Sequence, residues 1–280
     1  MELHLTGTET RKYFELIRQN ETKWDLFDLA VEICRIIEPG LDSKPYRNFI
    51  GEMVLESLDR VEANSDAYTQ VEALNTVIFG HYGFTGNEDD YYDPSNSYMT
   101  RVLEQRKGIP ITLSILYREI ASRIGLKLSC VALPGHFLLK FRMSGQEIFI
   151  DAFAQGKMIL PDECRELVER IYGNQVEFKP SFLQKSNNRT CLLRLLLNLK
   201  QVYRTREDNL KLLEVIEHRI PLLMDPSREI LERGLIFLSL KMYPRAIQDI
   251  ESFLATNKDQ KVKEALTSRL HQIRRLAEED

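Results

Sequence analysis

Apolar residues recur at helical spacing over the first part of the chain. In WDLFDLAVEICRIIEPG they fall at Leu26, Phe27, Ala30, Val31, Ile33, Cys34 and Ile37, which share one broad face. Pro39-Gly40 stops that run. A second helix is predicted over 45–63, with Phe49, Met53, Leu55 and Leu58 turned to the core. A third follows the capping candidates Asn64, Ser65 and Asp66, and carries Val71, Leu74, Val77, Ile78 and Phe79. Residues 80–97, GHYGFTGNEDDYYDPSNS, break the period and read as a loop. Ser97 is then placed to cap a helix through Gln105, which Lys107-Gly108 ends. Pro110 suits the first position of the next helix, because its fixed φ is already helical. Leu113, Ile115, Leu116, Ile120, Ile124 and Leu126 make that helix apolar over much of its circumference, so it is the expected central helix.

After Gly125 the period shortens to two. Strands are predicted over 127–133, 136–143 and 147–152, with turns at Pro134-Gly135 and Ser144-Gly145. From Pro180 onward the pattern is helical again, over 188–204, 208–223, 226–240, 243–256 and 260–277. Leu212 corresponds to Ala246, and Asp225-Pro226 to Asp259-Gln260, at an offset of about 34, the tetratricopeptide period. Ala246 is small where paired helices must approach closely. Too few repeats fit for a free solenoid, so they are expected to pack on what precedes them. The predicted class is α+β: a helical N-terminal part, a core with a small antiparallel sheet, and C-terminal helical hairpins. Two domains are expected, 1–180 with its core motifs at 86–165, and 181–280.

Composition narrows the function classes. With 280 residues the chain can bury a core, and its net charge of −4 gives no general pull toward nucleic acid. The start, MELHLTGTETRKYFELIRQ, lacks the basic and apolar blocks of a secretory signal. The longest apolar run, near 192–199, is too short for a membrane span and is interrupted by Arg194 and Asn198. The four cysteines, Cys34, Cys130, Cys164 and Cys191, are scattered without zinc-ligand spacing and read as reduced thiols of a cytoplasmic protein. The acids Glu88, Asp89, Asp90 and Asp93 lack the glycine and terminal glutamate of a calcium loop. No metal or cofactor is expected.

The chemistry concentrates in 106–151. Counting back from a two-residue turn at Ser144-Gly145 pairs Met143 with Gln146, Leu138 with Asp151 and His136 with Phe153. His136 and Asp151 therefore share a sheet face on diagonal positions within side-chain reach. A histidine oriented by an acid is half of a nucleophilic triad; a strand histidine beside a strand-end cap is the plainer alternative. The missing part is the nucleophile. A helix N-terminus favours a thiolate, but that place carries Pro110. Thr112, close by, is a poor nucleophile without an adjacent base. Cys130 falls about 10 Å from His136 along the hairpin, on a strand, and reads as a small apolar filler.

The stretch NSYMTRVLEQRKGIPITLSILYREIASRIGL, with PGHFLLKF and IFIDAFAQGKMI, resembles the transglutaminase-core-like segment of bacterial SirB-type proteins. NLKQVYRTREDNLKLLEVIEHR and ERGLIFLSLKMYPRAIQDIESFL are similar to that family's C-terminal tetratricopeptide region. The resemblance implies a papain-like core, whose enzyme relatives order Cys, His and Asp along helix and strands, with the thiol generally absent. Asn96, Ser97, Arg106, Gly108 and Pro110 match the family's first motif, and His136 and Asp151 its later ones. Where the family usually shows Arg-Asp-Arg-Gly, this chain has Leu231-Glu232-Arg233-Gly234, which keeps an acid.

The leading expectation is a non-catalytic protein that binds a protein or peptide partner, with neither nucleic acid nor membrane as ligand. Its cleft would be lined by Asn96, Ser97, Arg106, Gly108, Pro110, His136 and Asp151, the last pair being a relic of catalysis. The alternatives are a cysteine-dependent hydrolase or acyl-transferase using His136 and Asp151, and a structural adaptor acting through its helices.

Overall fold

The computed structural model describes residues 11–62 and 65–279. The chain divides into two compact units, one within Thr6–Val202 and one within Tyr203–Asp280. The architecture is α+β, an antiparallel sheet with helices followed by a helical region.

The first unit opens with α1 (Arg11–Ile17), α2 (Leu26–Ile33), α3 (Lys44–Leu58) and α4 (Ala67–Asn75). Asp25 starts α2 by accepting the Asp28 backbone N–H at 2.9 Å, and the helix tightens into a 3₁₀ turn over Cys34–Ile36. In α3 the buried stripe is Ile50, Met53, Val54 and Ser57. That is a strict i, i+3, i+4, i+7 set, so Leu55 and Leu58, expected in the core, fall on the far side and are exposed. Asp66 caps α4 through the Thr69 N–H at 2.8 Å. The helix then widens into a π turn over Thr76–His81, whose Val77 and Ile78 are buried.

Two short parallel strands, β1 (Thr85–Gly86) and β2 (Lys107–Gly108), bracket the loop and α5 (Met99–Gln105). Ser97 does not cap α5. It lies buried in a 3₁₀ turn over Pro94–Ser97, and Tyr98 is the N-cap. Pro110 begins α6 (Pro110–Arg123), and every residue from Pro110 to Tyr117 is buried. The sheet runs β3 (Ser129–Val131), β4 (Leu138–Met143), β5 (Gln146–Asp151) and β6 (Lys157–Ile159), each antiparallel to the next. Onto it packs α7 (Pro161–Tyr172), whose Cys164 and Val168 sit against Val131, Leu133, Leu138, Phe149 and Ile159. Both β6 and α7 lie outside the elements that the periodicity predicts. A three-residue strand leaves almost no period to read, and α7 buries only Cys164 and Val168.

The sequence boundary between the units falls inside α8 (Asn188–Thr205), at Val202/Tyr203, later than the expected 180/181. The cause is the run leading into α8. Ser186 N–H donates to Cys130 O at 2.8 Å, and its hydroxyl accepts the Ala132 N–H at 3.1 Å. Asn188 accepts from Arg118 at 3.2 Å and donates to Trp24 O at 2.9 Å. Cys191, Leu192, Leu195, Leu196 and Leu199 are then fully buried.

The second unit holds α9 (Asn209–Arg219), α10 (Ser227–Ser239), α11 (Tyr243–Thr256) and α12 (Gln260–Glu279). Asp225 and Asp259, matched by the sequence repeat, do the same work: each accepts the backbone N–H two residues on, at 3.0 and 2.9 Å, ahead of its helix. Gly234 lets α10 close on α11, since a Cβ there would meet Asp249 Cβ at 2.9 Å. Arg233 clamps the helices, with both Asp249 oxygens at 2.7 Å and Glu217 also at 2.7 Å. Glu232 pairs with Arg204. Among the described residues no helix is long and apolar enough to cross a membrane.

Candidate functional site

Two turns aim the site's strands. Ser144 and Gly145 both have positive φ, 50° and 83°, the conformation that closes a two-residue hairpin. That fixes the register from Met143↔Gln146 to Leu139↔Ile150. Pro134-Gly135 turns β3 toward β4, with Gly135 at φ 71° and His136 N–H donating to Leu133 O at 3.1 Å. His136 thus lies just ahead of β4, and Asp151 is the last residue of β5.

Their side chains meet, with His136 Nε2 2.9 Å from Asp151 Oδ2. A carboxylate accepts, so Nε2 carries the proton of this bond. The other carboxylate oxygen accepts the N–H groups of Phe153 at 3.0 Å and Ala154 at 3.2 Å. Asp151 therefore orients the imidazole and holds the turn after β5 at once. Asp151→Ala is expected to cost about 2 kcal/mol, read as a shift in denaturation midpoint. Asp151→Asn keeps the turn bonds and presents an N–H to His136, so the ¹⁵N shifts of the ring should report the proton moved to Nδ1.

The N-terminus of α6 is closed chemically. Ile109 N–H donates to Thr112 Oγ1 at 3.1 Å, and that hydroxyl lies 2.8 Å from Asn96 O. A Cβ at Gly108 would come within 2.8 Å of the same oxygen, so the network requires a glycine there. Asn96 is buried and works backward along the chain. Its amide donates to Asp90 O at 2.7 Å and Tyr91 O at 3.2 Å, and it accepts from Asn87 at 2.9 Å. The acidic loop is therefore held from within. Among the described residues no three His, Cys, Asp or Glu side chains are grouped to hold a metal.

Arg106 stands apart from this arrangement. It ends α5 in the left-handed region, φ 61°. Its guanidinium lies over Phe49 at 4.2 Å and Phe84 at 5.0 Å, and bonds Leu103 O. Burial pushes its pKa down. The two polar halves are instead joined by Phe153, whose ring is edge-on to His136 and to Tyr91, each at 6.2 Å. Phe153 seats on Gly86, where a Cβ would stand 2.6 Å from the ring. Sequence reasoning passed over Phe153 as a site residue, although the register count had already placed it opposite His136.

All four thiols are buried. Cys130 faces Leu139 in the ladder, and His136 lies three residues back toward the turn, which puts about 10 Å between them. The neighbouring Cys191 thiol and the Arg118 charge pull the Cys130 pKa down, while Cys130 and burial push that of Cys191 up. Cys164 is the thiol that feels Asp151. Burial, with the charges of Glu163 and Asp151, pushes it up to about 12, so it stays protonated at neutral pH.

The profile of the Transglutaminase-like superfamily matches residues 44–197. A UPF0162 protein of Xylella fastidiosa (strain 9a5c) is 32% identical over 232 residues, covering 82% of this chain and 83% of the relative. One from Vibrio cholerae is 26% identical over 231 residues, 82% and 85% of the two chains. Human F-box only protein 21 is 34% identical over 231 residues, 80% of this chain but 32% of that longer protein.

Proposed function

The chain belongs to the Transglutaminase-like superfamily, and on that premise we propose that it is a non-catalytic member whose cleft binds a peptide or protein segment. One observation carries the reading: His136 and Asp151 form an oriented pair at 2.9 Å, while the helix start that would supply a thiolate begins with Pro110. Cys130 is too far along the hairpin to exchange a proton with His136 directly. Cys164 is held protonated by burial. The SirB-type resemblance and the reading of α9–α12 as tetratricopeptide-like hairpins belong to the same proposal, as does a cytoplasmic setting. A relative in which the matching region is about a third of a longer protein, named F-box only protein 21, supports a module that works through protein contacts.

Two measurements test it. Alkylation with iodoacetamide at neutral pH should find no cysteine reacting faster than a free thiol; a fast one would revive the hydrolase reading. Capture of partners by the intact chain should fall at least several-fold in His136→Ala with its melting temperature unchanged. Equal capture by the variant would leave the structural-adaptor reading instead.

A further inference from the structure

Beside the His136–Asp151 pair lies a cavity of about 560 Å³, within the range of small-ligand sites. Ile109, the residue before Pro110, and Gly135, the residue before His136, both line it. Its remaining walls differ sharply in chemistry. One is aromatic, made by Tyr91, Tyr92 and Tyr172. Tyr92 is 69% exposed, a large ring left uncovered. A further part of the lining is a stripe on α8, Arg194, Asn198 and Gln201, spaced i, i+4 and i+7 and hence on one helix face. Among the described residues none of these three side chains donates a hydrogen bond, and Arg194 has no acid partner. Arg194 is half-buried, and its charge reaches Tyr91, whose pKa burial otherwise raises. A part-buried guanidinium without a counter-ion among the described residues, two amides on the same helix face and three tyrosine rings in one lining form a complementary set.

We propose that this cavity binds a carboxylate carried on a peptide, with an apolar or aromatic side chain next to it. Arg194 pairs with the carboxylate, Asn198 and Gln201 bond the adjoining peptide groups, and the tyrosine wall takes the side chain. The carboxylate can be a chain terminus or an aspartate or glutamate side chain. This rests on the peptide-binding reading of the same cleft and adds its ligand chemistry and a residue set outside the family motifs.

The test uses the full chain and three probes, followed by titration of the tyrosine ring resonances. They are N-acetyl-Ala-Ala-Phe with a free carboxylate, its C-terminal amide, and the amide of N-acetyl-Ala-Asp-Phe. The free acid should bind, its amide at least tenfold more weakly, and Arg194→Gln should weaken the free acid about tenfold to a hundredfold. Arg194→Lys should recover part of the loss. If the aspartate peptide binds as well as the free acid, the carboxylate site stands with a side chain as its source. Equal binding of all three probes, no binding at millimolar concentration, or an unaffected Arg194→Gln variant overturns the proposal. His136→Ala separates the two ideas. Loss of binding there but not in Arg194→Gln leaves the cleft reading and removes this one, and the reverse result keeps this site and removes His136 from the peptide-binding surface.

Discussion

Gly156→Ala should cost the first unit about 4 kcal/mol or prevent its folding. Gly156 has φ 78°, a conformation that strains any residue with a Cβ by about 1 kcal/mol or more. Space adds the larger part, because a Cβ there would stand 1.9 Å from Asn75 Oδ1 and 2.5 Å from Asn75 Cγ. Asn75 cannot retreat freely. Its amide donates to Gly156 O at 3.2 Å, and its oxygen lies 3.1 Å from the hydroxyl of Tyr117, a fully buried ring on α6. Moving Asn75 opens a link among α4, α6 and the β5–β6 turn, and leaves buried polar atoms unpaired. The same turn returns Gly156 N–H to Asp151 O at 2.8 Å, so the site residue should shift with it. Fluorescence of Trp24, the chain's single tryptophan and a residue of this unit, can follow the denaturation midpoint. A change under about 1 kcal/mol would show that the turn is softer than its packing implies.

The second unit should lose stability on acidification through one buried histidine. His218 lies in α9, 2% exposed, with Nδ1 2.7 Å from Glu214 O, and burial lowers its pKa to about 4. Unfolded, it titrates near 6.5. Between those values the unfolded chain binds the proton and the native one does not, so stability rises with pH across that window. Acidification removes about 2 kcal/mol by pH 5 and about 3 kcal/mol by pH 4. Glu214 and Glu217 work the other way, since burial raises both and their protonation favours the native state as pH falls toward their ordinary range. The difference between wild type and His218→Leu isolates the histidine. That variant removes the titration, and Glu214 O keeps its helix hydrogen bond. Hydrogen exchange of α9–α11 amides at pH 7 and pH 5 reads the second unit alone. Equal pH slopes in the two proteins would exclude His218 as the source.

Much of this molecule was legible where one physical signal dominates. Pro110 and Gly125 bracket the central helix through φ alone. The turn at Ser144-Gly145 fixed a register that put His136 and Asp151 on one face by counting. The C-terminal helices were readable because their apolar stripes are regular and their starts carry aspartates. The gaps share a cause, in that no periodic pattern marks the partner that the side chain finds. Arg106 read as a cleft cation, but three rings, Phe49 on α3 and Tyr82 and Phe84 ahead of β1, take its guanidinium. Asn96 read as a cleft polar group, yet it binds loop carbonyls that no pattern marks. Arg194 and Asn198 registered only as interruptions of an apolar run, although they face a cavity.

Asn96 also bears on the kinetics of whatever meets this surface. The segment from Asn87 to Tyr91 is tied to a buried amide, and that residue's carbonyl is in turn tied to the start of the central helix. A loop fixed in this way has surrendered its conformational entropy during folding, before any encounter. Association there should resemble docking onto a finished surface, with little entropy left to lose and no slow rearrangement preceding contact.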